Sequence, residues 1–339
     1  MTHMLQETRE IPAAVERLLK SAPEVIDPVA SRLKQADPAL VVTVARGTSD
    51  HAAHFLKYAI ELTLGLPVAS LGPSIASIYG APMKLDKAVS FAISQSGASS
   101  DIVALAETVR RGGALTTALV NTNPCALADA CEMVVDIQAG EEVAVAATKS
   151  FVSSIVAGLA IIARWGEDKA LLGALDRLPE HLNEALDLDW SSLMEPLAET
   201  SSLYMIGRGP SMAIASEAAL KCKETSELHA EAYSSAEMMH GPVSLVDRDF
   251  PVIAFAARDA AEPSIVETVG KLVAKDPRCF ISSKHAGDAN PLPFVATGHP
   301  LTDALALIVP FYNFVESLSR RRGFDPDNPV ALNKVTVTK

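Results

Sequence analysis

Short apolar runs recur along this chain at intervals that suit strands alternating with helices. Four of them, VVTVA (41–45), VSFAI (89–93), TTALV (116–120) and MVVDI (133–137), are rich in β-branched or aliphatic residues and end in polar turns. A second set follows: LYMIG (203–207), VIAFAA (252–257), CFIS (279–282) and PFVAT (293–297). Between them lie helix-length stretches such as SDHAAHFLKYAIELTLG and SDIVALAETVRRGG. Strand, helix, strand in this rhythm predicts βαβ units around a parallel sheet.

The pattern is also written twice. ARGTS (45–49) resembles GRGPS (207–211), with Arg46 and Arg208 lying 162 positions apart. The same offset lays Ala92 on Ala254. Two matches at one offset predict an internal duplication, joined through the polar helical stretch 166–192. The copies differ at one place. Ser94, Gln95 and Ser96 correspond to Ala256, Ala257 and Arg258, so a polar cluster survives in one copy only.

Composition narrows the class. Hydrophobic residues make up 49% of the 339 positions but aromatics only 5%. The core is therefore built from Ala, Val, Leu and Ile, which suits helices layered on a buried parallel sheet. A net charge of −12 argues against nucleic acid as a partner, since phosphate backbones are bound by basic surface. Small phosphorylated ligands stay open, because helix N-termini hold them without net positive charge. Four cysteines (Cys125, Cys131, Cys222, Cys279) form no CxxC pair and read as reduced thiols. The apolar segment from Ser150 is interrupted by serines and short of a membrane span, and MTHMLQETRE carries no signal-peptide core. The expectation is a cytoplasmic α/β protein with no membrane partner.

The stretch ISQSGASSD (93–101) clusters Ser94, Gln95, Ser96, Ser99 and Ser100 directly behind an apolar run. A simple turn needs one or two such residues. In open α/β sheets ligands sit beyond the carboxyl ends of the strands, and here a helix follows at once, its free N–H groups favouring an anion. Gly47, Thr48 and Ser49 occupy the equivalent place after the first strand. Both fit a phosphate monoester, although Ser and Thr are also common helix caps.

These pieces carry a resemblance. SQSGASSD looks like the phosphosugar signature of the sugar isomerase (SIS) domain proteins, whose nearest branch is the isomerase half of glucosamine-6-phosphate synthase and its deaminase relatives. ARGTS (45–49), EEVAVAATKSF (141–151), GRGP (207–210), KCKETSELHAEAYSSAEMMHGP (221–242) and NPVALNKVTV (328–337) match as well, so the likeness covers nearly the whole chain. It implies two tandem SIS domains, each a flavodoxin-like three-layer sandwich of a parallel β-sheet flanked by helices. The expected divisions are a helical segment at 1–36, a phosphosugar-binding domain at 37–170, a helical linker at 171–192, a catalytic domain at 193–325 and a tail at 326–339. It also implies that Ser94, Gln95, Ser96 and Ser99 bind the sugar phosphate with Gly47, Thr48 and Ser49 close by, and that Val145 and Ala147 line the sugar.

Lys221, Glu224, His229, Glu231, His240 and Lys334 are the groups that could do chemistry. Spacing puts Lys221 and Glu224 one helical turn apart, which by itself more often marks a surface ion pair. By resemblance, Glu224 shuttles a proton between sugar C1 and C2, and His240 opens the ring from a neighbouring subunit of a homodimer. Lys334 matches the tail lysine that forms a Schiff base. A lysine must be neutral to attack a carbonyl, so it is expected to be desolvated or near another cation. His51 and His54 share a helix face with no third ligand nearby. No metal and no cofactor are expected.

Two departures from the synthase bear on direction. The SIS pattern begins within about forty residues, so no glutaminase is expected ahead of it, and Val330 stands where the synthase tail has an arginine. Free of a glutamine-fed ammonia supply, the easier run is aminosugar phosphate to ketose phosphate and ammonia. A fructosamine-phosphate deglycase or galactosamine-6-phosphate deaminase would share the same phosphate site. A sugar-phosphate sensor would have no need of Glu224, His240 and Lys334 together.

Overall fold

The computed structural model describes residues 1–248, 250–275, 278–332 and 334. Two five-stranded sheets, parallel throughout, organise them. The first contains β1 (Leu40–Val44), β2 (Val68–Ser70), β3 (Ala88–Ser94), β4 (Leu115–Val120) and β5 (Met133–Asp136), in the order β2-β1-β3-β4-β5. The second contains β6 (Ser202–Gly207), β7 (His229–Ser234), β8 (Val252–Ala254), β9 (Cys279–Ile281) and β10 (Asn290–Pro291), in the order β10-β9-β8-β6-β7. Numbered from its own first strand, each sheet runs 2-1-3-4-5, the flavodoxin-like order. The duplication expected from the sequence is present in the topology.

Every residue of β3 is buried. Val42, Val44, Ala88, Ala92, Ala118 and Val120 point to one face, against Ile102, Leu105 and Val109 of the helix Ser100–Arg111. The alternate positions, including Val41, Phe91 and Leu119, are also buried. A parallel sheet sheltered on both faces explains the continuous apolar runs. In the second sheet Tyr204, Ile206, Val252, Ala254 and Ile281 play the same part against Ile265, Val269 and Leu272.

The strand set differs in detail from the sequence reading. PFVAT (293–297) is not a strand; the fifth strand is the short pair Asn290–Pro291, and Thr297 instead bonds Asp303. The strands Val68–Ser70 and His229–Ser234 carry weak signals, being a three-residue edge and an edge rich in Ala and Glu. The chain also divides into two compact units that are not contiguous in sequence. Met1–Pro12, Val143–Thr148 and Arg177–Leu332 form the unit of the second sheet. Ala13–Glu142 and Lys149–Asp176, with Lys334, form that of the first. Among the described residues one helical run, Pro300–Arg321, is long and apolar enough to cross a membrane, and 89% of its apolar stretch is buried inside the fold.

Candidate functional site

In the first-sheet unit, β1 and β3 are neighbours while the strand between them in sequence lies outside, so their carboxyl ends open at the switch point of the sheet. Beyond β1 the chain turns at Gly47, whose φ of 58° suits only glycine without strain, and enters the helix Thr48–Thr63. Beyond β3 it passes through 94–99 into the helix Ser100–Arg111. Ser94 Oγ accepts the Gly97 N–H at 3.0 Å, and Ser96 Oγ accepts the Ala98 N–H at 3.3 Å. Gly97 has a φ of 62°, and a Cβ there would lie 2.2 Å from Cys125 Sγ and 2.9 Å from its Cβ. Ser99 stands at the N-cap position without capping, so its hydroxyl is left available at a helix N-terminus. Arg46 pairs with Asp101, which is buried in the first turn of that helix and also accepts the Ile102 N–H at 2.9 Å. This ion pair ties the two loops together. Gly47, Thr48, Ser49, Ser94, Gln95, Ser96 and Ser99 thus share one end of one sheet, as an anion nest requires.

The same unit holds Lys334, whose Nζ lies 3.2 Å from Oε2 of buried Glu142. Glu142 also accepts Ser150 N at 3.0 Å and Ser150 Oγ at 2.6 Å. Of the two expected surroundings, desolvation or a neighbouring cation, Lys334 has partial burial, its side chain 23% exposed, and its neighbour here is a carboxylate. Glu142 was not singled out from the sequence, though it is the second residue of the quoted EEVAVAATKSF.

In the second-sheet unit, the helix Pro210–Ser226 carries Lys221 and Glu224. Lys221 is fully buried, not a surface residue, and its Nζ lies 2.5 Å from Glu224 Oε2 and 3.3 Å from Glu217 Oε1. Glu217 is wholly buried, whereas the Glu224 side chain keeps 21% exposure. Burial by itself lowers the Lys221 pKa, but the two carboxylates outweigh it and leave it raised, so this lysine is an ammonium and no nucleophile. Glu217 was missed, although an i, i+4 spacing to Lys221 could have revealed it. Val145 and Ala147 belong to the extended stretch Val143–Thr148, where 144, 146 and 148 are buried and the positions between more open. Glu7 anchors that stretch, accepting the Val143 N–H and, at 3.2 Å, the Ala144 N–H.

His240 is exposed on the turn after the helix Ser235–Met238, and among the described residues nothing hydrogen-bonds its side chain. His229 bonds Ser202 Oγ at 2.8 Å and Glu231 accepts from Tyr233 at 2.7 Å, so both serve the edge strand β7. Burial lowers the His54 pKa, and its ring stacks near Tyr58 at 5.5 Å. Among the described residues no three His, Cys, Asp or Glu side chains group to hold a metal ion.

The SIS domain profile matches residues 33–164 and 196–282, more than half of the chain. The glutamine–fructose-6-phosphate aminotransferase (isomerizing) of Aquifex aeolicus is 31% identical over 345 residues, covering 99% of this chain and 57% of that protein. The chain thus spans little more than half the length of the curated relatives it matches. A provisionally assigned phosphosugar isomerase from Silicibacter pomeroyi DSS-3 superposes with a TM-score of 0.93 at 50% identity, over 96% of this chain and 100% of that one. The C-terminal domain of glucosamine-fructose-6-phosphate aminotransferase from Francisella tularensis gives 0.87 at 25% identity, over 96% and 98%. The chain belongs to the SIS-domain family.

Proposed function

We propose that the chain converts an aminosugar phosphate, most simply glucosamine 6-phosphate, to fructose 6-phosphate and ammonia. The observation that carries this reading is the Lys221–Glu224 pair: a carboxylate partly open to solvent, fixed at 2.5 Å by a buried ammonium. Such a group can take a proton from a carbon beside a carbonyl and return it one atom away. The phosphate rests on Ser94, Gln95, Ser96 and Ser99, with Gly47, Thr48 and Ser49 closing the nest. Val145 and Ala147 line the sugar. His240, exposed in the single chain, opens the pyranose of a neighbouring copy in a homodimer.

The chemistry then balances without a cofactor. Glu224 removes the C2 proton of the open-chain aldehyde, the C–H electrons pass into an enaminol, and O1 is protonated. Glu224 returns its proton to C1, and the resulting C2 iminium gives up one N–H proton, which offsets the proton gained by O1 and leaves an imine at C2. Water adds to that carbon, the C–N bond breaks, and ammonia leaves behind the ketone. Lys334 can intercept the imine only after its contact with Glu142 opens, because the attacking amine must be neutral.

The test is ammonia release from a panel of aminosugar and fructosamine phosphates, with exchange of the C2 proton followed in deuterated solvent. Glu224→Gln should lower both by about 10²–10⁴-fold, the usual contribution of a general base. Borohydride with fructose 6-phosphate should label Lys334 if the imine passes through it. Full turnover in Glu224→Gln would sink the reading.

A further inference from the structure

Two carboxylates share one buried cation. Glu217 Oε1 lies 3.3 Å from Lys221 Nζ and accepts a hydrogen bond from Tyr312 Oη at 3.3 Å, while Glu224 occupies the other side of the ammonium. One carboxylate suffices to neutralise a lysine. A second, wholly desolvated one costs several kcal/mol of hydration, so its presence calls for a reason. The reaction offers one. When Glu224 takes the substrate's proton it becomes neutral, and of the two carboxylates only Glu217 is left charged beside the buried Lys221 ammonium.

We infer that Glu217 is a positioning residue that holds Lys221 charged and in place during the half of the cycle in which Glu224 carries the substrate proton. This rests on the proton-shuttle reading of Glu224. Charged groups on the elements packed against this helix are engaged elsewhere: Glu316 with Arg320, Asp303 with Arg258 and Glu231 with Tyr233. Arg322 donates to the carbonyls of Ser226, Leu197, Ala198 and Thr200. Of the charges named here, Glu217 and Glu224 are the ones that raise the Lys221 pKa.

The sign follows. With both carboxylates removed, burial alone holds the folded-state pKa of Lys221 below its unfolded value. Stability is then lost as pH falls from the unfolded lysine value, about 10.4, toward the folded one. Thermal unfolding of Glu217→Gln/Glu224→Gln between pH 10 and pH 6 should show a Tm that falls with pH. Adding Lys221→Met should abolish that slope. Should the double variant not fold, recovery of folding by Lys221→Met makes the same point. In the second arm, Glu217→Gln should lose kcat on the alkaline side, where the parent stays flat, with KM changed by less than about twofold. A one-unit fall in the Lys221 pKa costs about tenfold in its charged fraction above that pH. Glu217→Asp should restore the limb. A kcat profile parallel to the parent's, or a Tm slope indifferent to Lys221, would overturn the inference. Absence of turnover in the parent protein would instead sink the proton-shuttle reading and leave the stability arm to decide Glu217.

Discussion

The chain leaves β3 through Ser94, Gln95 and Ser96, and 162 positions later it leaves β8 near Ala256, Ala257 and Arg258. Both sheets have the same strand order, and after each first strand the next helix is entered through a glycine of the same conformation: Gly47 at φ 58°, ψ −134° and Gly209 at φ 62°, ψ −139°. The loops after the third strand are wired differently. In the first, the Ser94 side chain accepts the Gly97 N–H. In the second, the Asp259 N–H goes to the Ala257 carbonyl, and Ser282 Oγ takes the Ala256 N–H at 2.9 Å. Arg258, at the position of Ser96, turns inward. It meets Asp303 at 2.9 Å, the Ser282 carbonyl at 3.1 Å and the Phe294 ring at 3.7 Å. A duplicated scaffold has kept its backbone frame in both halves. In one half the serine side chains bond within their own turn, and in the other a network ties the loop to Ser282 and Asp303.

The largest effect should come from breaking that network. Arg258→Ala leaves Asp303, 2% exposed, without its cation. Breaking a buried ion pair from one side costs about 3–5 kcal/mol. Denaturant unfolding should show this loss while KM for the sugar phosphate stays within about twofold. A KM rise larger than the stability loss would mean that the second half also holds ligand. Gly97→Ala comes next. Its methyl would meet Cys125 Sγ at 2.2 Å on a left-handed backbone. Overpacking costs about 1–3 kcal/mol and the αL conformation about 1 kcal/mol more. Both KM and Tm should suffer, and Gly97→Ala/Cys125→Ala should recover only the steric part.

How far the sequence reaches depends on what enforces each feature. The central strands were legible because burial on both faces demands unbroken apolar runs, as in AVSFAIS of β3. β7 was not, since HAEAYS pairs with β6 alone and carries Glu231 and Tyr233 where a sheet edge tolerates them. The loop at 94–99 was legible because Ser, Gln and Gly crowd there beyond the needs of a turn. Glu217, Glu142 and Glu7 were not, because each acts through a tertiary contact. A carboxylate in a helix or loop gives no sign of being buried until its partner is located. The partners here are Lys221 for Glu217, Ser150 and Lys334 for Glu142, and the 143–144 backbone for Glu7.

Ser96→Ala tests the polar half directly. Losing a hydrogen bond to a charged, desolvated phosphate costs about 1.5–3 kcal/mol, or roughly 10–150-fold in affinity. The rise should appear in KM with little change in Tm, since Ser96 is partly exposed and, among the described residues, its side chain bonds just the Ala98 N–H at 3.3 Å. An unchanged KM would remove Ser96 from the nest.

The smallest effect is expected where the comparison is reversed. Ala256→Ser restores, at the position of Ser94, the hydroxyl that the second half lacks. If the missing hydroxyl were the whole difference, the variant should gain phosphate affinity. It should not, because the partner that Ser94 uses has no counterpart: the Asp259 N–H is already given to the Ala257 carbonyl at 2.9 Å. The Ala256 backbone is likewise spent on Ser282, and the place of Ser96 belongs to Arg258, which is drawn toward Asp303. A hydroxyl added to this fully buried site should cost about 1–3 kcal/mol of stability if it finds no partner. KM for the sugar phosphate should remain within about twofold, and calorimetry with inorganic phosphate should detect no second site. A new phosphate isotherm in Ala256→Ser would show that the two loops still differ by side chains alone, and that the rewired backbone is a consequence of the lost serine.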